Sequence, residues 1–488
     1  MNTTLRRLAN VVMVMFLALM VSTTWIQFFH ADELNDDNRN VRKIWAQFGT
    51  DRGPIVVDGE AIAQSTPIDD QFGYQREYMD GRLYSPLTGY FSIVSGTSKI
   101  EDTENDFLSG SADALWMDRL RNTLTGRDPQ GSSVELTIDA AAQRAAWDAL
   151  GDQRGAVVAV EPSTGKILAM VSKPNYDPND LATHDSKAAN KAMEELASSD
   201  DRPLESRATA TRYPPGSTFK LVTAAAALES GDYDESTSLD APDRYTPPGT
   251  DRSIGNYGGT SCSSTGEMSL ADALRISCNT AFAELGVDLG NEALYDQASA
   301  FGFNAPFEVP FETTPSAFPP PDDEGWADAF VAQAAIGQWN VAATPLQVAM
   351  TSAAIANDGE LMAPYSVETI RDPELEVVEK TSPRKLEDSV SSETANQLTD
   401  MMVGVVEDGS GTSAQIPGVT VAGKTGTAQH GEGLPPHVWF TGFAPAEDPK
   451  VAVAVVVESG GSVGTSEATG GAVAAPIARA VIEAVLNG

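Results

Sequence analysis

Tyr213-Pro214-Pro215-Gly216-Ser217-Thr218-Phe219-Lys220 is the stretch on which the reading of this chain turns. Pro-Pro-Gly is turn chemistry, and the run behind it, Ser217 to Leu228, is apolar nearly all round, as in a helix buried inside a large domain. Ser217 and Lys220 stand three residues apart, which places both side chains on one helical face. A serine hydroxyl is a weak nucleophile until a base removes its proton, and a lysine in apolar surroundings has its pKa lowered enough to serve. The free N–H groups of the helix N-terminus would face developing negative charge. Ser-x-x-Lys by itself is a weak signal, since a chain this long should hold about one or two by chance. Ser163–Lys166 contains Gly165 and lies in a predicted hairpin turn, and Ser382–Lys385 contains Pro383. Only the copy at Ser217 opens a buried helix.

Outward from this helix the chain reads as an α/β domain. Upstream, Asp139 caps a predicted helix running through Gln143 and Trp147 to Leu150. Two β-rich runs follow, Gly155 to Val160 and Lys166 to Ser172, and Glu161-Pro162-Ser163-Thr164-Gly165 between them predicts a hairpin. Downstream, Val419–Ala428, His437–Ala444 and Lys450–Glu458 read as three further strands and Gly471–Leu486 as a terminal helix. Two strands early, three late and helices between predict a sheet that joins distant chain segments. Asp232–Met268 and Ala305–Asp323 are loop-rich and could line a cleft. Residues from 39 to about 130 form a separate region, with a short strand at Gly53-Pro54-Ile55-Val56-Val57. There, Glu101-Asp102-Thr103-Glu104-Asn105-Asp106-Phe107 reads as a solvated loop on its charge pattern.

The 488 residues are 41% hydrophobic and 21% charged, which excludes a disordered chain and a multi-span membrane protein. A formal charge of −37 repels phosphate backbones and sets a nucleic-acid partner aside. Arg6 and Arg7 precede an apolar run from Leu8 to Phe29, and Asp32, Glu33, Asp36 and Asp37 follow it. This charge step predicts one transmembrane anchor with a cytoplasmic N-terminus and the rest of the chain outside, Trp25 lying near the outer interface. A cleaved signal peptide is the competing reading, but the run is long for one and no Ala-x-Ala site closes it. Outside the cytoplasm Cys262 and Cys278 sit where disulfides persist, and a bridge would close a loop worth roughly 3 kcal/mol. Two free buried thiols are the alternative. His430 and His437 lack further partners at ligand spacing, so no metal is expected.

Two further motifs complete the pattern. Arg275-Ile276-Ser277-Cys278-Asn279-Thr280 supplies a Ser-x-Asn, and Lys424-Thr425-Gly426-Thr427 follows inside a predicted strand. The three in this order are the signature of serine acyltransferases acting on D-alanyl peptides and β-lactams. Through them the chain resembles the class B penicillin-binding proteins, peptidoglycan D,D-transpeptidases, and most resembles the actinobacterial penicillin-binding protein A group. The Arg52-Gly53-Pro54-Ile55 entry, Leu136-Thr137-Ile138-Asp139 and Val438-Trp439-Phe440-Thr441-Gly442-Phe443-Ala444-Pro445 extend the resemblance along nearly the whole chain.

The resemblance implies the penicillin-binding transpeptidase fold, an α/β architecture with a central, mainly antiparallel sheet flanked by helices, over residues 131–488. Residues 1–30 would be the cytoplasmic tail and anchor, and 31–130 a small β-rich, noncatalytic, dimerisation or pedestal-like region outside the cytoplasm. It implies that Ser217 attacks the penultimate D-alanine carbonyl, Lys220 accepts its proton and Ser277 relays a proton toward the leaving group. Asn279 would hold the substrate amide and Lys220. Lys424, Thr425 and Thr427 would receive the terminal carboxylate, with Gly426 allowing close approach, and the N–H groups of Ser217 and Thr427 would form the oxyanion hole. No cofactor is implied. Stem peptides ending in D-Ala-D-Ala, β-lactams, the membrane and a glycan polymerase of the SEDS type are the implied partners. A D,D-carboxypeptidase or β-lactamase shares the three motifs; a class A β-lactamase needs a positioned glutamate for deacylation, and none is identifiable in the loop after Asn279. A scaffold of a cell-wall assembly is the reading from another class, opposed by the intact Ser217, Lys220 and Lys424.

Overall fold

The computed structural model describes residues 3–29, 48–116, 121, 126, 130–321, 327–431, 433–465 and 467–488. Thr3–Phe29 is one helix, and its stretch Leu5–Phe28, with mean hydropathy 2.0, is long and apolar enough to cross a membrane. The acidic residues Asp32 to Asp37 lie outside the described residues.

The fold is organised by a five-stranded sheet in the order Ala422–Ala428, His437–Ala444, Val451–Val457, Gly155–Val160 and Ile167–Lys173, antiparallel throughout. It joins the early hairpin to the three late strands, as expected. Gly155–Val160 and Val451–Val457 read as continuous apolar runs because both faces of the sheet are covered. Val453, Val455 and Val457 face one core, while Ala452, Ala454 and Val456 face the other. The first face carries the helices Ala140–Leu150 and Gly470–Asn487. Asp139 caps the former by accepting a hydrogen bond from the Ala142 N–H at 2.8 Å. The second face carries Pro345–Ala356, every residue of which from Pro345 to Ile355 is buried, with Lys220–Ser230 and Asn279–Ala300 in the same core.

The helix at Ser217 differs in one respect from the expected single α-helix. Gly216–Phe219 is a 3-10 turn, and the α-helix starts at Lys220 and runs to Ser230. Pro214 and Pro215 cannot donate backbone hydrogen bonds, and Gly216 adopts φ +53° and donates to the Gly337 carbonyl at 2.9 Å, so the chain enters through a tight turn. In 3-10 geometry side chains three apart eclipse each other, which aligns Ser217 with Lys220 more closely than an α-helix would.

A second sheet of six strands has the order Val377–Lys380, Val367–Arg371, Ser133–Leu136, Ile55–Val57, Glu60–Pro67 and Tyr74–Tyr78. It therefore takes strands from both sides of position 130 and from a hairpin more than two hundred residues downstream. Beside it, Glu101 corrects the solvated-loop reading of 101–107. The segment forms two helical turns, Ile100–Thr103 and Asn105–Leu108, and Glu101 is fully buried. Its carboxylate accepts from Arg52 Nε at 2.6 Å, Arg76 Nε at 2.7 Å and the Tyr78 hydroxyl at 3.0 Å. The acidic run hid this because the compensating arginines lie 49 and 25 residues away. Burial alone would raise the Glu101 carboxyl, and the charges of Arg76 and Arg52 overcome it and hold the group below its ordinary value.

Glu101→Ala leaves two buried arginines uncompensated, and a loss of about 3–5 kcal/mol is expected in urea denaturation of the chain lacking its apolar N-terminal helix.

Candidate active site

Three chain segments converge on one cleft. The turn Gly216–Phe219 presents Ser217, half-buried, at its rim. The turn is tied to the sheet from two sides. Trp439 Nε1 donates to the Pro214 carbonyl at 3.1 Å, and the Tyr213 hydroxyl donates to Glu458 at 2.8 Å, which also accepts from Arg207 at 2.7 Å. The nucleophile candidate is thus held by neighbours that do not themselves line the cleft.

Lys220 is the first residue of the buried helix and has no exposed surface. Its Nζ donates to the Ser277 carbonyl at 2.8 Å and to Asn279 Oδ1 at 2.7 Å, and lies 3.3 Å from Ser277 Oγ. Burial, and then the charge of Lys424, push its pKa well below the ordinary lysine value. An uncharged amine is the form that can take a proton from Ser217.

Ser277 occupies the joint between the helices Leu270–Arg275 and Asn279–Ala300, at φ +63°. That conformation costs a non-glycine residue energy and persists only when its surroundings hold it. Here the Ser277 N–H donates to the Leu274 carbonyl at 3.1 Å and its own carbonyl accepts from Lys220. A disulfide joins the adjacent Cys278 to Cys262.

On the opposite wall, the edge strand Ala422–Ala428 carries Lys424, Thr425, Gly426 and Thr427. Lys424 is fully buried, and its Nζ donates to Ser277 Oγ at 2.8 Å and to the Thr425 carbonyl at 3.1 Å. Burial lowers its pKa to about 7. A Cβ on Gly426 would stand 2.9 Å from Trp439 Cβ and 3.1 Å from the Pro215 carbonyl oxygen, so only glycine lets the strand pass the turn that bears Ser217 this closely.

The cleft has a volume of about 850 Å³ and is lined by Ser217, Ser277, Asn279, Thr425, Gly426 and Thr427 among others. All eight site residues expected from the sequence are therefore brought together, Lys220 and Lys424 lying beneath the surface. The loop-rich stretch 232–268 lines it through Ile254–Gly258, whereas residues 305–321 do not. Two contributors had no sequence signal. Ser410 Oγ lies 2.6 Å from Thr425 Oγ1, and Asn256 bonds the start of the helix that bears Asn279. Both sit in aperiodic loops. His430 and His437 stack ring on ring at 3.8 Å, and no group of three or more His, Cys, Asp or Glu suited to a metal occurs among the described residues.

Lys424 binds its proton more weakly in the folded chain than in the unfolded one, where its pKa is near 10.5. The folded state is penalised most below pH 7, and the penalty is relieved as pH rises toward 10.5. Lys424→Met is expected to raise Tm more at pH 6 than at pH 10, measured by thermal unfolding at both.

The penicillin binding protein transpeptidase domain matches residues 155–483, and the penicillin binding protein A dimerisation domain matches residues 52–134. The peptidoglycan D,D-transpeptidase PbpA of Mycolicibacterium smegmatis is 44% identical over all of this chain and 99% of its own length. That of Mycobacterium tuberculosis is 42% identical over the full length of both. The ceftriaxone acyl-enzyme structure of M. tuberculosis penicillin-binding protein A superposes with a TM-score of 0.86 over 91% of this chain and 100% of that one. A D,D-transpeptidase domain from Eggerthella lenta, 36% identical, gives 0.78 over 90% and 99%. With its three motifs gathered on one cleft and both domains matched in order, the chain belongs to the penicillin-binding protein transpeptidases.

Proposed function

We propose that this chain is a peptidoglycan D,D-transpeptidase that cross-links stem peptides through an acyl-enzyme on Ser217. The observation that carries this reading is the placement of Lys220, stripped of water and held between Ser277 and Asn279 directly behind the Ser217 turn. Neutral Lys220 takes the Ser217 hydroxyl proton as Oγ attacks the carbonyl of the penultimate D-alanine. The oxyanion forms between the N–H groups of Ser217 and Thr427. The C–N bond then breaks, and the departing D-alanine amine takes its proton from Lys220 through Ser277, whose hydroxyl lies within reach of both lysines. The amine of a second stem peptide attacks the ester, its proton returns along the same relay, and Ser217 is released. Asn279 orients the substrate amide, and Lys424, Thr425 and Thr427 receive the carboxylate.

A β-lactam opens by the same attack, but its leaving amine stays tethered and blocks the acceptor. The penicillin G, imipenem and ceftriaxone acyl-enzymes of the M. tuberculosis relative support that course here. Residues 1–30 anchor the chain with its N-terminus in the cytoplasm, 31–130 form the noncatalytic region and 131–488 the transpeptidase region, all beyond the anchor lying outside. A SEDS-type glycan polymerase is the proposed partner, since cross-linking needs newly made strands. The Cys262–Cys278 bridge clamps the middle of the Ser-x-Asn segment.

Fluorescent penicillin should label the purified protein stably and fail to label Ser217→Ala. A label that vanishes within seconds would mark a β-lactamase, and its absence from folded wild type would leave a noncatalytic scaffold. The acylation rate constant should rise with pH as Lys220 loses its proton and fall above about pH 7 as Lys424 loses the charge that holds the carboxylate. In Lys424→Arg the alkaline limb should disappear, because a guanidinium keeps its proton.

A further inference from the structure

The helix Asn279–Ala300 begins at the active site without a cap of its own. Cys278 holds the N-cap position, makes no side-chain cap bond, and its sulfur is committed to Cys262. The free N–H groups at this end are met instead from another part of the chain. Asn256 Oδ1 accepts from the Asn279 N–H at 2.9 Å and from the Thr280 N–H at 3.2 Å. Its amide nitrogen donates to Thr280 Oγ1 at 3.3 Å, and Thr280 is fully buried. The preceding carbonyl, of Gly255, accepts from Asn279 Nδ2 at 3.2 Å. One dipeptide therefore grips both the backbone and the side chain of Asn279.

We infer that Asn256 is a positioning residue for the acylation step: it caps the helix from outside and so sets the Asn279 amide between Lys220 and the substrate. The chain of contacts is explicit. Gly255 fixes the Nδ2 end of the Asn279 amide, which forces Oδ1 toward Lys220 Nζ at 2.7 Å. The second Nδ2 hydrogen is left for the substrate carbonyl. Cys262 ties the same loop to Cys278, so the segment 256–262 is fastened to the Ser-x-Asn segment at both ends. Asn256 itself lines the cleft. Among the described residues, Lys424 is the charged group that acts on Lys220, with the Phe282 ring 5.5 Å from its Nζ and the neutral Ser277 and Asn279 completing its surroundings.

The inference rests on the transpeptidase reading, and the test separates the two. Acylation by fluorescent penicillin is followed against pH for wild type, Asn256→Ala and Asn256→Asp, with Tm measured for each. Asn256→Ala removes the bonds that hold the helix start against the loop, so the Gly255 carbonyl is no longer fixed opposite Asn279 Nδ2, and the rate constant is expected to fall about ten- to a hundredfold. Asn256→Asp keeps the acceptor, as aspartate caps helices as well as asparagine does, so Tm is retained. Its carboxylate adds negative charge in hydrogen-bond contact with the Asn279 N–H, and the acidic limb governed by Lys220 is expected to move up by about one pH unit. Asn256→Ala acylating within about twofold of wild type, or Asn256→Asp giving a superimposable pH profile, would overturn the inference. Unlabelled wild type would instead overturn the function on which it rests.

Discussion

Two buried lysines share one serine hydroxyl: Ser277 Oγ lies 3.3 Å from Lys220 Nζ and 2.8 Å from Lys424 Nζ, and neither lysine has exposed surface. Removing an ammonium from water is expensive, and placing two side by side is more so. The cost is expressed as a weakened hold on the protons, and both groups sit below the ordinary lysine value, Lys220 under the added repulsion of a charged Lys424. What is a liability for stability is, in the proposed mechanism, the means by which Lys220 takes a proton.

Such a cluster exists only where the surrounding structure resists collapse or hydration. The five-stranded sheet meets that demand through its inner strands: the edge strand Ala422–Ala428 is paired along its whole length with His437–Ala444, which is packed into a core on each face. Trp439 ties that sheet to Pro214, and the Gly426 contact leaves no slack between the strand and the turn that bears Ser217. Ser277 has a left-handed backbone, and its carbonyl accepts from the same lysine whose proton it would carry.

Much of this was legible in the chain. The strand runs from Gly155 and from His437 onward are long, apolar and bounded by turn residues, so their existence followed from composition alone. Ser217, Ser277 and Lys424 could be paired only through their joint order, since each motif by itself recurs by chance. Other features were invisible for a common reason. Glu101 has its arginines 49 and 25 residues away, and Asn256 serves a helix that starts 23 residues later. Side chains that complete a structure built elsewhere leave no local period to read. The 3-10 start at Gly216 likewise depends on Gly337, more than a hundred residues downstream.

The six-stranded sheet interleaves Ile55–Val57 and Ser133–Leu136 with the hairpin Val367–Lys380. Its consequence is for modular exchange. A graft of the region matched by the dimerisation domain onto another transpeptidase would arrive without the strand that closes its edge, and would expose a row of unpaired backbone groups to other chains. Hybrids that carry the hairpin along with the region it closes should be the ones that stay soluble.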